Sequence, residues 1–286
     1  MNKFNLVFVL LFILFPAKGS ARTQVGTSQL KEDSLKSELL HVTRQYSVYL
    51  PESYTQSKSK EYPVLYLLHG HSHTNRDWGK DSKLQEIADG LINAGKVCEM
   101  IIIMPDAGRI QNGYFDMKGW AYEQFFFEEF LPSVEKKYRI KRDKSSRAIA
   151  GFSMGGGGAT AYALKHPDLF SSVYAMSALM SLPEQERPQA MDSTFMRFGR
   201  SVLANDCIVL VNYTDLATLE KLRTIRWFVD CGDDDFLLNV NFLFYKAMQD
   251  AKIPCELRVR DGNHNWDYWC GSLYLALPFV SKNFGK

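Results

Sequence analysis

The chain has 286 residues, 46% of them hydrophobic and 23% charged, with 34 Lys and Arg against 32 Asp and Glu. That composition is ordinary for a globular protein and excludes disordered and fibrous classes. A formal charge of +2 supplies no field that would draw nucleic acid or an anionic membrane to it, so neither is an expected partner.

At the amino end Lys3 precedes an apolar run, Leu6 to Phe15, followed by Pro16 and the small residues Gly19, Ser20 and Ala21. This is the pattern of a secretory signal peptide, with cleavage expected after Ala21 and a secreted or periplasmic product. The run is about half of the ~20 residues that a bilayer-spanning helix needs, so no integral membrane association is expected. Loss of Lys3 and Lys18 takes the formal charge from +2 to 0. None of the five cysteines, Cys98, Cys207, Cys231, Cys255 and Cys270, lies near the cleavage site, which excludes an acylated amino-terminal cysteine. Their odd number leaves at least one unpaired, their spacing matches no metal site, and buried free thiols are the expectation. No Pro/Gly/Ser-rich linker or repeat divides the chain. Residues 22–37 read as a polar segment ahead of one catalytic domain, 38–286.

In chain order, Tyr46, Val48 and Leu50 alternate with polar residues, as in a half-buried edge strand. Pro63 to His69 is apolar almost throughout, which predicts a strand covered on both faces. Met100 to Met104, Ala148 to Phe152 and Val173 to Met176 read the same way, with Trp227 to Val229 and Leu257 to Val259 as shorter strands. Helical spacing appears between them, at Phe126, Phe127, Phe130, Leu131 and Val134, and at Leu238, Phe242, Tyr245 and Met248. The alternation predicts an α/β fold: a mostly parallel central sheet with helices on both faces and its ligand site beyond the carboxyl ends of the strands. Leu182 to Asn212 breaks the rhythm and is expected to be an insertion or cap over the site. If Cys231 ends one parallel strand and Cys255 begins its neighbour, the two lie at opposite sheet edges, too far apart for a disulfide.

Gly151, Phe152, Ser153, Met154 and Gly155 form G-x-S-x-G between an apolar run and a helical stretch, the context in which a nucleophilic serine sits on a strained strand-to-helix turn. Glycine is needed on both sides because a Cβ would strike the neighbouring strand or helix. Gly155 to Gly158 also invites a phosphate-loop reading, but no Lys-Ser or Lys-Thr follows. A serine hydroxyl needs a base, and this motif is followed by an acid and then a histidine. Only two histidines lie downstream. His166 precedes Pro167 at a helix end and suits a capping or surface role, whereas His264 stands in a polar turn after the last strand. The acid belongs after the preceding strand, where Asp233, Asp234 and Asp235 all stand; the residues alone do not choose among them. Two backbone donors are expected to bind the oxyanion, the N–H of Met154 and that of His71 after the early strand. His69, His71 and His73 share an H-x-H-x-H spacing, but no fourth ligand accompanies it, so no metal and no cofactor is expected.

These residues together resemble the esterase D and feruloyl esterase group of α/β hydrolases, which includes tributyrin esterases, S-formylglutathione hydrolases and the antigen 85 mycolyltransferases. The resemblance runs from about Tyr46 to Phe284, through YSVYLPESY at Tyr46 to Tyr54, YLLHG at Tyr66 to Gly70 and MPDAG at Met104 to Gly108. It continues through RAIAGFSMGGGGA at Arg147 to Ala159, HPDLF at His166 to Phe170, DCGDDDFL at Asp230 to Leu237 and GNHNWDYW at Gly262 to Trp269. It implies the α/β-hydrolase fold and a triad of Ser153, Asp235 and His264, with Asp235 selected as the last acid before Phe-Leu. The chain departs from the pattern at His71, where many relatives are hydrophobic, and between Gln111 and Ala121, which lacks an expected Ser-Trp-Tyr. Trp266, Phe236 and Trp120 are candidates to line a substrate pocket. The resemblance and the signal peptide together imply small-molecule or carbohydrate-linked esters, acetyl and feruloyl esters among them. Acyl transfer to a sugar through the same triad and noncatalytic carbohydrate binding on the same fold are the alternatives.

Overall fold

Val64 to Leu68 and Ile101 to Pro105 can be apolar at every position because each strand is buried on both faces. The computed structural model describes residues 27–109, 112–183 and 193–285, with the backbone alone at 193–196; the expected signal peptide, residues 1–21, lies outside them. Eight strands, β1 (Gln29–Lys36), β2 (Thr43–Leu50), β3 (Val64–Leu68), β4 (Ile101–Pro105), β5 (Arg147–Phe152), β6 (Ser172–Met176), β7 (Arg226–Gly232) and β8 (Cys255–Arg260), form one sheet in the order β1-β2-β4-β3-β5-β6-β7-β8. β2 runs antiparallel to both its neighbours, and β4 through β8 are parallel.

The helices are α1 (Ser53–Gln56), α2 (Asp77–Lys80), α3 (Leu84–Asn93), α4 (Tyr122–Gln124), α5 (Leu131–Lys137), α6 (Met154–Lys165), α7 (Ser193–Ala204), α8 (Cys207–Asn212), α9 (Leu216–Leu222), α10 (Leu238–Asp250) and α11 (Trp266–Ser281). Alternate residues of the central strands feed two cores. Val64, Tyr66, Leu68, Ile149 and Val173 pack with Phe126, Phe130 and Tyr162 on one face. Leu65, Leu67, Ala148, Ala150 and Tyr174 pack with Leu84, Leu91, Leu273 and Leu277 of α3 and α11 on the other. Among the described residues no single helix is long and apolar enough to cross a membrane.

Two expectations need correction. The segment read as a polar leader contains β1, so the strand around Tyr46 to Leu50 is interior and β1 takes the edge. β1 escapes pattern reading because Lys31, Glu32, Asp33 and Lys36 dominate it. Charges of this kind keep a free strand edge from pairing with another chain. The five thiols are free, but only Cys207 and Cys231 are buried; Cys98 is exposed and the other two are partly so. In the β7–β8 register Cys255 pairs with Trp227 and Cys231 with Val259. Four residues of strand, about 13 Å, therefore separate Cys231 from Cys255 along the sheet.

The stretch that broke the rhythm is an insertion between β6 and β7. Residues 184–192 lie outside the described ones, and the remainder forms α7 and α8.

Candidate active site

β5 delivers Phe152 to the carboxyl edge of the sheet, and Ser153 turns the chain into α6 with φ 53° and ψ −121°. Positive φ is costly for a residue with a Cβ and persists only where the surroundings hold it. Here they do: the Ser153 N–H donates to the Met176 carbonyl at 3.0 Å, and its own carbonyl accepts from Gly157 and Leu179 at 3.1 and 2.8 Å. The glycines are required by close approach. A Cβ on Gly151 would stand 2.5 Å from the Gly155 carbonyl oxygen, and one on Gly155 would stand 2.6 Å from the carbonyl oxygens of both Leu68 and His69. Gly156, Gly157 and Gly158 press in the same way on Ala178, Leu179 and Tyr114, which explains the glycine run without a phosphate.

His264 arrives from the turn after β8. Its Nε2 lies 3.0 Å from Ser153 Oγ and its Nδ1 2.8 Å from Asp235 Oδ2. The three acidic residues after β7 separate here: Asp233 and Asp234 are exposed and Asp235 is buried. Asp235 Oδ1 accepts the Leu237 N–H at 2.9 Å, which fixes the carboxylate while its other oxygen faces the imidazole. Burial pushes the Asp235 carboxyl up, but the hydrogen bond and charge of His264, with the Leu237 N–H and the nearby Ser177 hydroxyl, outweigh it and hold the group below the usual aspartate value. Asp233 joins the acid turn to the base turn, its Oδ1 accepting the Gly262 N–H at 3.0 Å, and the backbones of Gly232 and Gly262 approach too closely for any side chain. A chain of hydroxyl, imidazole and buried carboxylate of this geometry can move a proton off the serine and stabilise the resulting imidazolium.

Beneath the base turn lies a buried carboxylate that pattern reading left inside a strand. Asp230 accepts the Tyr268 and Tyr174 hydroxyls at 2.6 and 2.9 Å and the Arg260 guanidinium at 3.1 and 2.9 Å. Arg260 and Tyr268 bracket His264 in the chain, so this cluster fixes both ends of the segment that carries it. Asn265 caps α11 by accepting the Tyr268 N–H.

The loop after β3 packs on the elbow, since a Cβ on Gly70 would stand 2.5 Å from the Phe152 ring. Tyr114 sets the loop's entry. Its hydroxyl accepts the His69 N–H at 2.8 Å and donates to the His69 carbonyl at 3.2 Å, acting as a one-residue substitute for a neighbouring strand. Tyr114 lies in the region whose sequence departs from the family, so nothing in the pattern marked it. Met154, the first residue of α6, carries one of the amides that a helix amino end leaves without an intrahelical acceptor.

The three histidines of the loop face three environments. The buried His69 accepts the Ala107 N–H on Nε2 at 3.0 Å, which places its proton on Nδ1, 2.8 Å from the Gly70 carbonyl. The His71 ring packs on Phe198 of α7 with centroids 4.5 Å apart. His73 sits edge-on to Phe152, Trp266 and Trp269, its Nδ1 buried without a hydrogen-bond partner and its pKa pushed down by that burial. The spacing suggested a shared face, but the strand ends at Leu68 and the turn at Gly70 scatters the rings. Among the described residues no group of three or more His, Cys, Asp and Glu could hold a metal ion.

Of the candidate pocket residues, Phe236 is 61% exposed with its ring centroid 4.6 Å from that of His264. Trp266 is half-buried against Trp78, Phe152 and Trp269. Trp120 is a correction: its indole is buried, stacked on Tyr122 under the Arg44 guanidinium, with its N–H donated to the Gly113 carbonyl. It braces the core, as most aromatic side chains do. His166 ends α6 and packs on Phe127 with centroids 3.9 Å apart.

Comparison with known proteins places this geometry in context. The family described as "Putative esterase" matches residues 37–280. A solved ferulic acid esterase is 51% identical, with a TM-score of 0.88 over 91% of this chain and 100% of that one. An endo-1,4-beta-xylanase/feruloyl esterase of Xylanibacter ruminicola is 30% identical over 62% of this chain, which spans 26% of that protein's length. An acetyl esterase of Caldicellulosiruptor saccharolyticus is 24% identical over 78% of this chain and 85% of its own. The feruloyl esterase module of Clostridium thermocellum, solved with sinapinate as a serine-to-alanine mutant, shares the fold at 21% identity and a TM-score of 0.68, covering 91% of this chain and 90% of its own. The chain therefore belongs to this esterase family, within the esterase D and feruloyl esterase group, and is a serine carboxylic-ester hydrolase of the α/β-hydrolase fold.

Proposed function

We propose that the chain is an exported esterase that cleaves acetyl, feruloyl or other short acyl esters of carbohydrate through an acyl-enzyme on Ser153. The observation that carries the reading is the hydrogen-bonded line from Ser153 Oγ through His264 to the buried Asp235, 3.0 and 2.8 Å long. The ferulic acid esterase and acetyl esterase likenesses support the acyl groups, and the xylanase fused to a feruloyl esterase supports a carbohydrate-linked ester. The amino-terminal pattern supports export.

In this mechanism Ser153 Oγ attacks the ester carbonyl as its proton passes to His264 Nε2. Asp235 holds the proton on Nδ1 and stabilises the imidazolium without becoming protonated. The Met154 and His71 amides bind the oxyanion; a donor of this kind is worth ~10² to 10³ in kcat. His264 then protonates the leaving alcohol, and water repeats the sequence to free the acid and restore the serine. Phe236, against the imidazole, and Trp266, half-buried on the aromatic cluster of Phe152 and Trp269 beside it, take the acyl or alcohol group. Neither metal nor cofactor enters any step.

The test is hydrolysis of 4-nitrophenyl acetate, 4-nitrophenyl butyrate and methyl ferulate by the wild-type protein beside Ser153→Ala, with and without a chelator. The variant is expected to lose at least ~10³ in kcat while the chelator changes nothing. Full activity in Ser153→Ala would remove the assignment.

A further inference from the structure

α7 has two faces with different partners. Phe198 and Val202 are buried on one, and Arg197, Arg200, Ser201 and Ala204, at helical spacing i, i+3, i+4 and i+7, line a groove of about 440 Å³ on the other. Met117 and Lys118 form the far wall. Among the described residues three cations, Lys118, Arg197 and Arg200, thus border a groove in a chain whose formal charge is only +2. Asp116, the one acid lining it among the described residues, is already engaged: its oxygens accept from the Glu123 and Gln124 N–H groups and from the Gln124 amide. Arg197 donates to the Asn112 amide oxygen at 3.0 Å, and among the described residues neither Lys118 nor Arg200 makes an ion pair.

The groove is joined to the site by short contacts. Asn112 is followed by Gly113, whose Cβ position lies 3.2 Å from the Phe198 ring and 3.3 Å from Met154 Sδ. Phe198 in turn packs on His71. The groove residue Arg197 is therefore linked through Asn112 and Gly113 to Met154, and the opposite face of the same helix, through Phe198, to His71.

We infer that this groove binds a carboxylate carried by the ester substrate, so that the enzyme prefers acidic esters over neutral ones of the same shape. The inference rests on the proposed function and adds a substrate class to it. A guanidinium presents paired N–H donors that match a carboxylate's two oxygens, and two arginines one helical turn apart, with a lysine opposite, give that group a fixed place. Met117 and Ala204 leave apolar surface between the charges for the body of the ligand. Two sources present the same chemistry: a uronate on the sugar, or an acid on the acyl chain.

The experiment separates them. For the acyl source, kcat/KM is compared for 4-nitrophenyl hemisuccinate and 4-nitrophenyl butyrate. For the sugar source, xylotriose and a glucuronate-bearing xylotriose are compared as inhibitors of 4-nitrophenyl acetate hydrolysis, and both are titrated calorimetrically onto Ser153→Ala protein. Exposed charge pairs are individually weak, so the acidic member of one pair is expected to be favoured about five- to tenfold at low salt, with the preference falling as salt is raised. In Arg197→Gln/Arg200→Gln it is expected to fall below about twofold, because the charges that discriminate are gone. Equal treatment of acidic and neutral members in both arms, or a preference that survives the double variant, overturns the inference. If the wild type cleaves no ester, the esterase reading fails instead, and the calorimetric comparison still decides whether the groove selects a carboxylate.

Discussion

The two halves of the site are held in place by different forces. On the nucleophile side, β5, the elbow and α6 are locked by backbone against backbone: Gly151, Gly155 and Gly157 have no room for a Cβ, and the strained Ser153 is pinned by three main-chain hydrogen bonds. On the acid–base side, the turns after β7 and β8 also meet backbone to backbone, at Gly232 and Gly262, and to this are added side-chain ties through Asp235, Asp233 and the Asp230–Arg260–Tyr268 cluster. Packing interfaces of the first kind fail when volume is added, whereas hydrogen-bonded turns fail one bond at a time and respond to pH.

The sharpest way to break this contrast is Gly155→Ala. A methyl 2.6 Å from two main-chain oxygens cannot be relieved by a side-chain rotation. The variant is expected to lose about 3 kcal/mol or more of stability, the upper range for overpacking, or to fail to fold. Chemical denaturation measures it, and a wild-type midpoint would show that the elbow is softer than its geometry implies.

Asp230→Asn probes the other side. Removing one partner of a buried charge pair costs about 3 kcal/mol, and loosening the segment between Arg260 and Tyr268 is expected to lower kcat with KM little changed. Steady-state kinetics beside thermal unfolding would read both; an unfolding loss with undiminished kcat would confine Asp230 to stability.

Tyr114→Phe tests the boundary between the two halves. It removes both hydrogen bonds to the His69 backbone, leaving a buried N–H and carbonyl without that partner, at a cost of about 1 to 3 kcal/mol. Because the loop leads to the His71 amide, kcat is expected to fall about tenfold, less than loss of a whole oxyanion donor. Unchanged kcat in a destabilised protein would mean that Tyr114 only supports the strand end.

The smallest effect expected is one of pH. Asp235 titrates below the usual aspartate value in the folded protein, so between its folded and unfolded pKa values the unfolded chain binds more protons and stability rises with pH. Its contribution is full above about pH 4, the unfolded value, and is lost as pH falls through the folded one. Unfolding midpoints between pH 2 and about pH 5 should therefore slope less steeply in Asp235→Asn than in wild type. Parallel slopes would show that the carboxylate is not specially stabilised.

The same contrast governs what could be read in advance. The elbow was legible because its demands fall on residue type: glycine where nothing else fits, and serine between a strand and a helix. The doubly covered strands were legible as unbroken apolar runs. β1 was not, because its outer residues are charged and its pairing partner, not its composition, makes it a strand. On the acid–base side three aspartates shared one turn, and only the fold, which buries Asp235 and exposes the other two, distinguishes them physically. Trp120 was drawn into the site by being aromatic and belongs to the core. Tyr114 and Asp230 went unnoticed because their roles lie in contacts between distant segments.

The central claim, that the relay makes Ser153 the nucleophile, is tested most directly by treating the protein with diethyl 4-nitrophenyl phosphate and mapping the adduct by peptide mass spectrometry. The account predicts a single diethylphosphoryl group on the peptide containing Ser153, formed in proportion to the loss of ester hydrolysis and absent from Ser153→Ala. Complete inactivation with that peptide unlabelled, or complete labelling of Ser153 with activity intact, would contradict it.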